Sequence, residues 1–164
     1  MNELRPISLC NIIAKIRTTE TVRPVLMRII FENQSAFLPG RMISDNILIA
    51  HKVLHYMIHS KSSKNSCMAV KLDMSKAYDR VELSFLKVIM LKLDFCQQWV
   101  EWVMCLVSTV SYSFLINGSP KGFVRPSRGI RQGEPLSPYL FLICVEGLTC
   151  MIREAEVRKE LTGI

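Results

Sequence analysis

Lys71-Leu72-Asp73-Met74-Ser75-Lys76-Ala77-Tyr78-Asp79-Arg80-Val81 is the stretch on which the reading of this chain turns. Cys67-Met68-Ala69-Val70 leads into it, and Val70 and Leu72 flank Lys71, so the segment reads as a short buried strand ending on an acid. A carboxylate at the end of such a strand is costly to bury alone and calls for a cation or a metal. The bland alternative is an Asp73 satisfied by Lys71, by Lys76 or by a backbone N–H. Six residues on, Asp79 and Glu82 form a D-x-x-E helix start, which makes Asp79 a helix N-cap rather than a metal ligand.

Working outward, residues 1–40 read as irregular, punctuated by Pro6, Pro24 and Pro39. A helix is expected from about Asp45 to Ile58, capped by Ser44, with Ile47, Leu48, Val53 and Leu54 on its apolar face. His51, His55 and His59 share one face of that helix. No H-E-x-x-H pattern and no nearby Cys accompanies them, so a zinc site is not favoured. Beyond Asp79, one helix carries Phe85, Leu86, Ile89 and Met90, and a second starts near Gln97. Val110 to Ile116 alternates apolar and polar residues and runs into Asn117-Gly118, a strong hairpin signal, so a strand returns through Phe123 and Val124. Ser137-Pro138 reads as an N-cap followed by a proline at the first helical position, opening a helix through Leu140, Cys144 and Ile152.

The 164 residues suit one ordinary domain, and a hydrophobic share of 49% with mean hydropathy of +0.23 argues against disorder. No apolar run reaches spanning length, because Glu101 interrupts the greasiest stretch, and the N-terminus has no signal-peptide pattern. Six cysteines without a C-x-x-C pair suggest reduced core thiols and no disulfide partner, hence an intracellular location, nuclear or cytoplasmic. The net charge of +7 favours a polyanionic partner, and with no spanning run no membrane partner is expected. Lys121, Arg125, Arg128 and Arg131 follow one another with no acid between them, either as a solvated loop or as a phosphate-binding one.

Four blocks resemble the reverse transcriptases of plant LINE-type non-LTR retrotransposons. The Lys71–Val81 stretch is similar to motif A of that family, and Gly129-Ile130-Arg131-Gln132-Gly133-Glu134-Pro135-Leu136-Ser137-Pro138-Tyr139-Leu140-Phe141 to its motif B. Arg5-Pro6-Ile7-Ser8-Leu9-Cys10-Asn11 and Glu32-Asn33-Gln34-Ser35-Ala36-Phe37-Leu38-Pro39-Gly40-Arg41 agree in order. The resemblance implies an α+β fold: a partial right-hand polymerase with a small antiparallel sheet packed on helices. Residues 1–60 would be a fingers remnant and 61–164 a partial palm, together one incomplete domain.

By resemblance, Asp73 is the catalytic and Mg²⁺-binding carboxylate, and Tyr78 is the aromatic that excludes a 2′-hydroxyl from the incoming sugar. Lys76 and Ala77 offer backbone N–H groups to the triphosphate, Gln132 and Gly133 meet the nucleotide and template, and Arg5 grips the triphosphate. Arg41 resembles a template contact. Lys121, Arg125, Arg128 and Arg131 stand where nucleic acid would pass. The implied partners are an RNA template, a DNA primer strand and deoxynucleotides.

The departures are specific. The family's Asp-Asp turn is absent: no Asp-Asp pair occurs, and no Asp follows Asp94. Glu134 replaces the family's usual Asp, Ala14 stands where an aromatic is common, and Lys15–Pro24 looks shortened. The expectation is a reverse transcriptase fragment, incomplete for two-metal nucleotidyl transfer, with a noncatalytic nucleic-acid binder as the alternative.

Overall fold

The computed structural model describes residues 12–59 and 68–162, with side chains from Thr19 onward. Within them the order is α1 (Ile12–Ile29), α2 (Ile43–His59), a 3-10 turn (Ala77–Arg80), α3 (Leu83–Lys92), α4 (Gln97–Ser108), the strands β1 (Tyr112–Ile116) and β2 (Ser119–Val124), and α5 (Ser137–Val157). The class is α+β, with one two-stranded antiparallel sheet.

The core is helical. α5 packs on both α1 and α3, and α3 packs on α4. Leu26, Leu86, Met90, Val100, Val103, Leu140 and Ile143 are fully buried between them. At Gly147 in α5, a Cβ would meet Phe85 at 3.0 Å and Ile89 at 3.2 Å, so the bare backbone sets how closely α3 and α5 approach.

α1 corrects the expectation of an irregular start. Val22 and Leu26 lie four residues apart on one helical face and Ile30 continues it, all buried, while Pro24 sits on the exposed side. A proline removes one helical hydrogen bond and disfavours the helix locally, but burial of that stripe outweighs it here. α2 lies where the sequence placed it, but it buries no residue, and Ile43, Ile47, Leu48 and Ile49 are each about 60% accessible. Asn46 ties it to the preceding loop through the Asn33 carbonyl at 3.0 Å.

The hairpin follows its sequence signal closely. Asn117 and Gly118 take φ of 51° and 76°, the paired left-handed values of the tight turn that matches strand twist. Phe114 faces Lys121, Tyr112 faces Val124, and a bulge lies between those pairs. Both strands are exposed except for half-buried Tyr112, so the sheet is attached at its base rather than through a face.

Two caps move. Asp79 is not an N-cap: it belongs to the 3-10 turn, and Glu82 caps α3 without a side-chain hydrogen bond. Lys76, with φ of 52°, turns the chain into that short helix and absorbs the residues expected to start α3. α5 is capped by Leu136, which puts Ser137 and Pro138 in its first turn; proline is tolerated there because the first N–H groups have no helical acceptor.

Candidate nucleic-acid interface

The two sequence blocks that carry the chemistry meet through their backbones. Gly129 N–H donates to the Val81 carbonyl at 2.7 Å, and Ile130 N–H donates to the Tyr78 carbonyl at 2.9 Å. Gly129 has φ of 96°, and a Cβ there would lie 3.2 Å from both Cα and O of Asp79, so this approach requires glycine. Beside the junction opens a cavity of about 270 Å³ lined by Asp79, Tyr112, Arg128, Arg131 and Glu134 over an apolar floor of Val107, Val110 and Ile130. Arg128 reaches Glu82 at 3.9 Å in an exposed ion pair, a contact of small energetic weight.

Tyr78 is half-buried against Phe141, with ring centroids 5.3 Å apart and planes tilted by 54°, and burial raises its phenol pKa. Ala77 is half-buried and Lys76 exposed in the same turn. Gln132 is half-buried and Gly133 exposed in the loop before α5, directly after Arg131. Lys121, Arg125 and Arg128 are exposed along the hairpin and the loop that follows it. The structure thus brings the Tyr78–Val81 turn beside the loop that carries Arg128 and Arg131. Arg5 lies outside the described residues.

Asp73 departs from the sequence expectation. Residues 68–74 form no strand, and Val70 and Leu72 are 65% and 75% exposed. A strand needs a partner to receive its ladder hydrogen bonds, and among the described residues the two strands pair only with each other. Asp73 itself is exposed, so burial does not force a counter-ion on it. Among the described residues no three His, Cys, Asp or Glu side chains converge as metal ligands. Two Mg²⁺ ions need several hard oxygen ligands. The donor set among the described residues does not fit a two-metal centre. His55 and His59 stack at 4.1 Å, with His59 Nδ1 2.9 Å from the His55 carbonyl, a local arrangement within α2.

Arg41 is engaged elsewhere. Its guanidinium donates to the carbonyls of Phe31 at 2.5 Å, Gln34 at 2.7 Å and Ile30 at 3.3 Å, closing the loop after α1. Nearby, Glu146 of α5 is buried, accepts the Phe31 N–H at 3.3 Å on Oε2, and leaves Oε1 without a hydrogen bond. Burial raises its pKa, against the lowering pull of the Phe31 N–H, Arg153 and Arg41. Arg153 also lies 3.9 Å from the Phe31 ring centroid. Sequence reasoning missed this cluster, although a lone Glu in the apolar run Leu140–Leu148 was a readable sign of a buried, partnered carboxyl.

A helical body with a small antiparallel ribbon, and two motif loops joined by backbone hydrogen bonds, defines an α+β protein. The chain belongs to the reverse transcriptase (RNA-dependent DNA polymerase) family, whose sequence pattern matches residues 1–162. It is 31% identical over 164 residues to an uncharacterized 149 kDa protein of the transposon TX1 of Xenopus laevis. It is 33% identical over 116 residues to a retrovirus-related Pol polyprotein from a type-2 retrotransposable element of Drosophila melanogaster. A 51-residue stretch is 57% identical to an uncharacterized mitochondrial protein of Arabidopsis thaliana. These matches take in 98%, 70% and 31% of this chain but 12%, 11% and 42% of the respective relatives. The family's polymerases use divalent metal ions.

Proposed function

We propose that this chain is the fingers and part of the palm of a non-LTR retrotransposon reverse transcriptase of the plant LINE type, and that by itself it holds nucleic acid without joining nucleotides. The observation that carries the reading is the pair of backbone hydrogen bonds from Gly129 and Ile130 to Val81 and Tyr78. They support a single wall in which the motif A turn and the basic loop face the same space. A template RNA, a DNA primer strand and a deoxynucleotide are the partners of that wall.

In this reading Tyr78 lies under the incoming sugar, and the backbone of Lys76 and Ala77 and the side chain of Gln132 meet the nucleotide, with Gly133 allowing close approach. Arg5 reaches the triphosphate. Lys121, Arg125, Arg128 and Arg131 meet phosphates, which makes binding salt-dependent through counterion release. Arg41 serves this wall indirectly, by holding the loop after α1. Asp73 is one carboxylate of a set that the chain does not complete, since it has no Asp-Asp pair. Polymerisation then depends on carboxylates supplied by another segment or another molecule. The location is intracellular.

The test is paired. Binding of single-stranded RNA is measured against salt, and primer extension is measured on the same preparation. Affinity is expected to fall steeply with salt, and extension to stay at the level of an Asp73→Asn control. Extension above that control overturns the inactive reading, and binding that is flat in salt overturns the nucleic-acid reading.

A further inference from the structure

The β1–β2 ribbon has no role in the reading above beyond carrying Lys121 and leading into Arg125, and its side chains are unusual for a surface hairpin. Phe114 and Phe123 are 64% and 65% exposed, and neither packs on the helical body. Phe114 faces Lys121 across the ladder. Gly122 beside it has no side chain; a Cβ there would touch the Phe114 ring at 3.8 Å, so glycine adds no cover to a ring that is already largely exposed. The Arg125 guanidinium lies 5.4 Å from the centroid of Phe123. The ribbon is fixed at its base, where Val110 is buried before β1 and Ile130 is buried after the loop. From Trp102 to Gly133 the sequence contains no acid at all.

An exposed apolar ribbon left to itself is an aggregation hazard, and natural proteins blunt such elements with charge or cover. Here the charge is of one sign, and each cation stands beside a ring. A protein partner of ordinary composition gains little from that pairing. A single-stranded polyanion with flat bases gains twice: its phosphates meet Lys121 and Arg125, and its unpaired bases stack on the rings. Duplex nucleic acid satisfies the first condition and not the second.

We propose that the β1–β2 ribbon is a stacking arm for single-stranded RNA, with Phe114 and Phe123 as base platforms and Lys121 and Arg125 as their phosphate contacts. The inference rests on the nucleic-acid reading of the neighbouring wall and adds to it a base-stacking element and a preference for unpaired strands.

The experiment uses the full chain and a 12-nucleotide oligouridine, with a matched deoxyoligonucleotide and a duplex RNA as comparators. Replacing both rings, Phe114→Ala with Phe123→Ala, is expected to weaken oligouridine binding by about tenfold or more, on the scale of one or two lost stacks. The dependence of log affinity on log salt is expected to keep its slope, because no phosphate contact is removed. Lys121→Ala with Arg125→Ala is expected to do the reverse and flatten that slope. Phe→Trp at both positions restores binding, whereas Phe→Leu, apolar but without a π face, does not. Far-UV circular dichroism of each variant confirms that the body is intact.

Wild-type binding with a normal salt slope that the Phe→Ala pair leaves unchanged overturns the stacking arm while sparing the nucleic-acid reading. Rescue by leucine, or an equal loss on duplex RNA, overturns it as well. A stronger effect on the deoxyoligonucleotide than on oligouridine overturns the choice of RNA. Absence of any wild-type binding at low salt overturns both proposals.

Discussion

The helical body and α2 are built from similar residues and reach opposite outcomes. α1, α3, α4 and α5 each bury a stripe of Val, Leu, Ile or Met in a common core. α2 has as many large aliphatic residues and buries none. Helix propensity and amphipathic pattern are therefore not what separates them; what separates them is whether a complementary face exists within the described residues. Tertiary packing supplies most of a helix's stability, so the two regions should differ in how they answer to the same substitution.

The largest expected effect lies in the body. Leu26→Ala removes a fully buried side chain between α1 and the core, and should cost about 2–5 kcal/mol in chemical denaturation. Ile47→Ala, at a 64% exposed position of α2, should stay within about 0.5 kcal/mol. Equal losses at the two sites would mean that α2 is buried in solution, for instance by self-association.

Next comes the junction of the two motif loops. Gly129→Ala forces a Cβ to within 3.2 Å of the Asp79 backbone at a φ of 96°, and should destabilise by about 2–4 kcal/mol from strain and overpacking together. Gly118→Ala, where nothing lies within 4 Å, should cost only the backbone penalty of about 1–2 kcal/mol. A smaller loss at Gly129 than at Gly118 would show that the loops do not meet as described.

Glu146 offers a test on pH. Its folded-state pKa is raised by burial, so the protonated form is the one the fold prefers. Stability from this group is fully present below the unfolded carboxyl value and is lost as pH rises through the raised folded value. Glu146→Gln keeps an acceptor for the Phe31 N–H and removes the titration. The stability of wild type relative to this variant should therefore fall as pH rises from the acid side, then level off. A difference between the two proteins that is constant with pH would contradict the burial of the carboxyl.

The smallest effect concerns thiols. Burial pushes Cys144 up to about 12, while Cys96, Cys105 and Cys150 are exposed. Peptide-resolved alkylation near neutral pH should label these three well before Cys144, because the thiolate is the reactive form. Labelling of Cys144 at the same rate would place it outside the core.

Much of the body was legible because its signals are local. Asn117-Gly118 fixed the hairpin and its turn, since the backbone conformation required there suits few residues. The spacing of Leu86, Ile89 and Met90 marked the face that α3 buries. α1 was hidden by Pro24, which carries a strong helix-breaking prior that long-range burial of Val22 and Leu26 overrides. Asp79 misled because a D-x-x-E pattern cannot tell a helix cap from a 3-10 turn, which the left-handed backbone of Lys76 decides. The strand assigned around Asp73 failed for a different reason: alternation and apolarity permit a strand, but only a partner makes one. The candidate site was read in the sequence as four motif blocks, of which Arg5–Asn11 lies outside the described residues. Its central contact, backbone to backbone between Gly129 and Val81, carries no side-chain signature beyond the glycine itself.

The central claim is that the motif A turn and the basic loop form one held wall, while α2 stands apart from the core. Residue-resolved amide hydrogen exchange tests both halves in a single measurement. Gly129 and Ile130 amides, bonded to Val81 and Tyr78, should exchange as slowly as the α5 amides at Leu142 and Ile143, and the α2 amides should exchange much faster. Rapid exchange at Gly129 and Ile130, or α2 protection equal to that of α5, would contradict the account.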